Sequence, residues 1–122
     1  MNPTESTVSS TSSTPLPACP VETTLTLISD KWKVLILRDL LLNGTMRFGE
    51  LRKSIGHVTQ KVLTSQLRQM EESGLLTRKV YAEVPPRVEY TLTELGYSLK
   101  PILDAMWAWG THYKQTQEGA DR

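Results

Sequence analysis

Phe48 to Gly74 reads FGELRKSIGHVTQKVLTSQLRQMEESG, and this stretch decides the fold. Phe48, Leu51 and Ile55 stand at i, i+3 and i+7, the apolar stripe of an amphipathic helix. Gly56 suits a left-handed helix end, a conformation that a β-carbon disfavours. After His57 and Val58, Thr59 offers a side-chain oxygen to the free N–H groups of a second helix, which extends to Glu72 or Ser73. Val58 before that cap and Leu63 after it are placed for a hydrophobic staple. Leu63, Leu67 and Met70 give the second helix a buried stripe, and Gly74 closes it. Two amphipathic helices joined by so short a glycine-containing link form a helix-turn-helix.

Downstream the period changes from 3.6 to two. Leu76, Val80, Val88, Tyr90 and Leu92 read as one face of two strands, and Glu83-Val84-Pro85-Pro86 cannot continue a ladder, so it is the hairpin tip. A hairpin directly after a helix-turn-helix is a wing. Thr93 then caps a last helix carrying Leu95, Leu99, Ile102, Leu103, Met106, Trp107, Trp109 and Tyr113, which Pro101 should kink or split.

Upstream, Asp30 caps a helix from about Lys31 to Leu42 that stops at Asn43-Gly44. Its run of Trp32, Val34, Leu35, Ile36, Leu37, Leu40, Leu41 and Leu42 leaves little polar face, which makes it the central helix. Before it, Pro20 and Glu22 suit the first turn of a short helix with Val21, Leu25 and Ile28 as its stripe. Residues 1–17, dominated by Ser, Thr and Pro, read as a disordered tail. The expected architecture is mainly α with a small β-hairpin: a winged helix-turn-helix over 18–115, with 116–122 as a flexible C-terminus.

The 122 residues suffice for one domain, and 39% hydrophobic content supports a modest core. A net charge of +1 decides nothing by itself, but its distribution is uneven. Between Gly44 and Leu92 eight Lys or Arg face five acids, an excess of +3, which suits a polyanion and would also arise on a solvated surface. One cysteine and two histidines cannot assemble a zinc or iron ligand set, so no metal and no cofactor is expected. No apolar stretch reaches membrane-spanning length, and the N-terminus lacks the basic and apolar segments of a secretory signal, so a cytoplasmic location is expected. No hydrolytic Ser, His and acid set and no glycine-rich phosphate loop point to an enzyme.

On the second helix of the pair, the side opposite Leu63, Leu67 and Met70 carries Lys61, Thr64, Ser65, Arg68 and Glu72, with Gln60 at its edge, and Gln60, Lys61, Thr64, Ser65 and Arg68 are the DNA-binding candidates. Such side chains can contact bases and phosphates of double-stranded DNA. Polar residues facing water would give the same strip, but the tight turn before it and the wing after it favour the recognition helix. Arg87 beside the stiff wing tip suits a phosphate or the minor groove, with pairing to Glu83 or Glu89 as the alternative. Arg47 and Lys53, with Arg52, fall where the DNA backbone should pass, and for each residue alone a solvated surface charge is the stronger alternative. Leu103, Met106, Trp107 and Trp109 exceed what one terminal helix can bury on a small domain, and they are the candidate homodimer interface; a helix packed on its own core is the alternative, and the two are not exclusive. A protein-interaction module on the same fold is the rival reading.

Ordered together, these pieces resemble the HxlR-type family of bacterial winged helix-turn-helix regulators. The resemblance rests on Cys19-Pro20-Val21-Glu22, Asp30-Lys31-Trp32, Leu35-Ile36-Leu37-Arg38-Asp39-Leu40 and Arg47-Phe48-Gly49-Glu50-Leu51-Arg52. It continues through Gln60-Lys61-Val62-Leu63-Thr64, Gly74-Leu75, Val84-Pro85-Pro86-Arg87-Val88-Glu89-Tyr90 and Leu92-Thr93-Glu94-Leu95-Gly96. It implies a homodimer joined by the terminal helices, with recognition helices in successive major grooves of a pseudo-palindromic promoter site, and leaves the small-molecule inducer unnamed. It also implies that Cys19 is a sensor of oxidants or electrophiles, as in several members. A thiol at a helix start feels the positive end of the dipole, whereas Pro20 removes one N–H there and Glu22 adds a negative charge, so a plain structural cysteine is the alternative.

Overall fold

The computed structural model describes residues 15–120; most of the 1–17 segment read as a tail lies outside the described residues. The element order is α1 (Pro20–Ile28), α2 (Lys31–Asn43), β1 (Met46–Arg47), α3 (Phe48–Ile55), α4 (Gln60–Glu72), β2 (Leu76–Tyr81), β3 (Arg87–Leu92), α5 (Glu94–Tyr97) and α6 (Lys100–Ala120). This is the winged helix-turn-helix expected from the sequence.

Local chemistry sets the element ends. Asp30 accepts the main-chain N–H of Lys33 at 3.0 Å to start α2, and Thr59 accepts that of Val62 at 3.1 Å to start α4. Gly44, Gly56 and Gly74 end α2, α3 and α4 or the turn beyond with positive φ, a region that costs other residues strain. Val58 and Leu63 are both buried around the Thr59 cap, as the staple requires. The turn is tightened further by Arg52, whose Nε donates to the carbonyl of Val58 at 3.3 Å.

The core forms around α2. Ile36, Leu37 and Leu40 are fully buried and meet Leu51 of α3, Leu63, Leu67 and Met70 of α4, and Leu76, Tyr90 and Leu92 of the wing. The wing pairs β2 and β3 antiparallel from Leu76 opposite Leu92 to Tyr81 opposite Arg87.

Several boundaries differ from the sequence reading. A third strand, β1, pairs Met46 with Tyr90 and Arg47 with Glu89, giving the order β1-β3-β2; two residues are too few to show a period. Val80 was expected on the buried face but is 55% exposed, because the hairpin projects past the core after Leu76. The last helix is split, as Pro101 demanded: α5 ends at Tyr97 and Pro101 lies in the first turn of α6, where its missing N–H leaves no broken bond. From there α6 runs on to Ala120, past the boundary at 115. In α1 only Ile28 is buried; Val21 and Leu25 stay exposed because the helix meets the domain mainly through α2.

Candidate nucleic-acid interface

Helix α4 presents two faces. Leu63, Leu67 and Met70 turn into the core, and Gln60, Lys61, Thr64, Ser65 and Arg68 together line one shallow depression on the opposite surface. Those are the five DNA-binding candidates of the sequence; Glu72, which the helical wheel put on the same side, does not line the depression. Lys61 and Arg68 are exposed, and Thr64 and Ser65 are half-buried at the floor. The strip therefore carries two cations and a row of hydrogen-bonding groups, in a depression that only α4 lines among the described residues.

The flanking cations divide into free and engaged groups. Arg47 is exposed at the junction of β1 and α3, where its main-chain N–H donates to Glu50 at 2.8 Å. It borders a cleft that reaches the wing tip from Glu83 to Val88, so the fold brings Arg47 and Arg87 together. Lys53 is exposed on α3. Arg87, by contrast, is held within the wing. Its Nη2 lies 3.2 Å from Glu83, its Nε 3.5 Å from Glu89, and its guanidinium 3.9 Å above the Tyr81 ring. Both partners suggested as the alternative to DNA contact are thus engaged, and the second cation over Tyr81, Lys79 at 4.9 Å, is exposed.

Beside the α4 strip runs a polar link, buried at Lys33 and exposed at Gln69, that the sequence reading did not single out. Lys33 of α2 is 11% exposed at its side chain; its ammonium donates to Gln69 Oε1 at 2.8 Å and lies 3.5 Å from Asp30. Gln69 in turn donates from Nε2 to Ser65 Oγ at 3.3 Å. Burial works to raise the Asp30 pKa, but hydrogen bonds and charge from Lys33, with a bond from Gln66, hold it below its ordinary value. The signal was present in α2: Lys33 shares the helical phase of Ile36, Leu37 and Leu40, so a charge falls in line with the core.

The C-terminal helix divides the residues proposed for a dimer. Leu103 is buried against its own domain, whereas Met106, Trp107 and Trp109 are 47%, 69% and 69% exposed. Leu103 is therefore a core residue of the subunit, since the start of α6 packs on α2. Trp109 stacks on Tyr113 with ring centroids 5.2 Å apart, which extends an apolar surface along α6. Cys19 is exposed as N-cap of α1, and its thiol makes no cap hydrogen bond. Among the described residues no group of three or more His, Cys, Asp or Glu could hold a metal ion, and no helix is long and apolar enough to cross a membrane.

The family of HxlR-like helix-turn-helix proteins matches residues 27–118, through the wing and α6. The chain belongs to the HxlR family. The HTH-type transcriptional regulator YdeP of Bacillus subtilis is 50% identical over 96 residues, which cover 79% of this chain and 74% of YdeP. An HTH-type regulator of Methanothermobacter thermautotrophicus is 50% identical over 102 residues, covering 84% of this chain and 77% of the relative. Among solved structures, the redox regulator HypR in its reduced form superposes with a TM-score of 0.76 at 42% identity, over 83% of this chain and 99% of HypR. Its oxidised form gives 0.72 at 46% identity, over 77% and 96%. This HxlR-family chain is thus a helix-turn-helix transcriptional regulator and not an enzyme. Helix-turn-helix regulators bind DNA, and those of this family are typically dimers.

Proposed function

We infer that this HxlR-family protein is a cytoplasmic homodimer that reads a pseudo-palindromic promoter site, each subunit laying α4 in the major groove. The observation that carries this reading is the convergence of Gln60, Lys61, Thr64, Ser65 and Arg68 on one outward depression of α4, opposite its buried stripe. A two-fold dimer would match half-sites about one helical turn apart. Arg47 and Lys53 follow the phosphate backbone on the α3 side, and Arg87 reaches DNA only by leaving its pairs with Glu83 and Glu89. The exposed apolar face of α6 supports the dimer, with Met106, Trp107 and Trp109 as its anchors. The polar, cationic character of the α4 strip favours DNA over the rival protein-contact reading. A gel shift on the promoter region upstream of the chain's own gene tests it: the parent should retard the duplex, and Lys61→Ala with Arg68→Ala should not. Equal binding by parent and double variant removes α4 from the interface.

Cys19 is the proposed control point. Its thiol is exposed at the start of α1, and the chain is similar to a redox regulator solved in reduced and oxidised forms. A quinone would alkylate the thiolate by addition. Hydrogen peroxide would convert it to sulfenic acid, the thiolate taking one oxygen as the O–O bond breaks and hydroxide leaves, and a second thiol would condense with that acid to a disulfide with loss of water. As the single cysteine of the chain, Cys19 can join only the other subunit or a small thiol. Either adduct acts on α1, whose exposed Val21 and Leu25 would lie near a dimer contact and could reset the spacing of the two α4 helices. The test compares parent and Cys19→Ser on the promoter with and without diamide or a quinone. Only the parent should respond, and reductant should reverse the diamide effect; equal responses return Cys19 to a structural role.

A further inference from the structure

The link from Lys33 of α2 to Gln69 and Ser65 of α4 has a chemical polarity. An ammonium only donates, so Lys33 at 2.8 Å requires the Gln69 amide to present its carbonyl oxygen inward. The Gln69 NH2 group then faces Ser65 and donates to Oγ. A hydroxyl carries one proton, and a donor at its oxygen cannot receive it. Ser65 must therefore aim that proton elsewhere, and its side chain opens on the depression it shares with Gln60, Lys61, Thr64 and Arg68. Lys33 is itself held by the Asp30 carboxylate. The orientation is thus anchored from α2 at a point 36 residues upstream of Gln69.

We propose that Lys33 is a specificity-determining residue: acting through Gln69, it fixes the Ser65 hydroxyl as a hydrogen-bond donor toward the major groove. The inference rests on the reading of α4 as the recognition helix. A fixed donor accepts partners such as guanine N7 and O6, adenine N7 or thymine O4, and it disfavours a base pair that turns the cytosine amine toward it. Without Lys33, the Gln69 amide can turn over, Ser65 can donate inward to the amide oxygen, and the discrimination disappears. Lys33 touches no DNA in this scheme; it positions a group that does.

The experiment selects from a randomised duplex library with the full-length parent, Lys33→Met, Ser65→Ala and the double variant, with melting curves to verify folding. The parent should disfavour one base at one position of each half-site by about tenfold, the scale of a single hydrogen bond. Lys33→Met and Ser65→Ala should each reduce that preference to within about twofold at the same position, and the double variant should do no more than Ser65→Ala. Gln69→Glu provides a second route if Lys33→Met does not fold. Its carboxylate keeps the bond from Lys33 but can only accept from Ser65, so the same preference should vanish. A purely structural Lys33 would weaken all sequences alike and add to Ser65→Ala; either result overturns the proposal. A parent motif left unchanged by Lys33→Met or by Gln69→Glu overturns the link alone. A parent that enriches no sequence overturns the DNA reading, and the role of Lys33 with it.

Discussion

Gly96 of α5 packs its α-carbon against the main-chain carbonyl of Leu75, at the point where α4 gives way to the wing. A β-carbon there would overlap that oxygen and stand 3.0 Å from Cδ2 of Leu92. The same corner is tied by Thr93, whose N–H donates to Leu75 at 3.0 Å and whose hydroxyl donates to Gly74 at 2.6 Å while accepting from Gly96. Gly96→Ala should therefore push α5 off the wing base and destabilise the domain by about 1–3 kcal/mol, the usual cost of overpacking. Thermal melting should show a drop of at least about 5 °C. Gly49→Ala, where a β-carbon meets nothing within 4 Å, is the control and should leave the midpoint unchanged or raise it.

Asp30 links stability to acid. Its folded-state pKa lies below the ordinary carboxylate value, so it stabilises the fold above the unfolded-state pKa, and that contribution is lost as pH falls through the lowered native value. Asp30→Asn keeps an oxygen to cap Lys33 N–H but removes the charge beside the Lys33 ammonium. Denaturant melts should find the variant less stable at pH 7, by less than about 1 kcal/mol because the carboxylate is 39% exposed. The gap should close below about pH 4. A gap that stays constant into acid would assign the effect to the cap alone.

Assembly should be separable from folding. Trp107 and Trp109 are largely exposed in the single subunit, so replacing both with Ala should change subunit stability by roughly 0.5 kcal/mol or less. At an interface they would be anchors, worth about 2 kcal/mol or more each. Sedimentation at micromolar concentration should therefore show a dimeric parent and a folded monomeric double variant. Leu103→Ala should instead lower the melting temperature, because that side chain belongs to the core. A monomeric parent would remove the interface.

The cations should differ in their value to DNA. Arg68→Ala should weaken binding by about 1–3 kcal/mol if the side chain reads a base, with the loss confined to one base position. A uniform loss with a shallower salt slope would mark phosphate contact. Arg87→Ala should cost less than Arg68→Ala, since Arg87 already has Glu83 and Glu89 as partners. Titrations of both variants at two salt concentrations make the comparison, and a larger loss at Arg87 would show that the wing opens its ion pairs on binding.

The sequence by itself determined the elements whose causes are local. Caps at Asp30, Thr59 and Thr93, the glycine after each of three helices, and the stripes of α3 and α4 all act within a few residues, so their spacing is legible in one dimension. The outward side of α4 followed from its buried side, which is why the five recognition candidates came out together. Tertiary structure decided everything that depends on partners distant in the chain. It added β1 to the wing, took Leu103 into the core while leaving Trp107 and Trp109 outside, and turned Arg87 toward Glu83 and Glu89. It also set the ammonium of Lys33 against Gln69 and so gave Ser65 its orientation. A helical phase can show that a lysine points at the core, but only packing chooses the acceptor that meets it, because a buried charge must be paired by whatever the neighbouring helix brings.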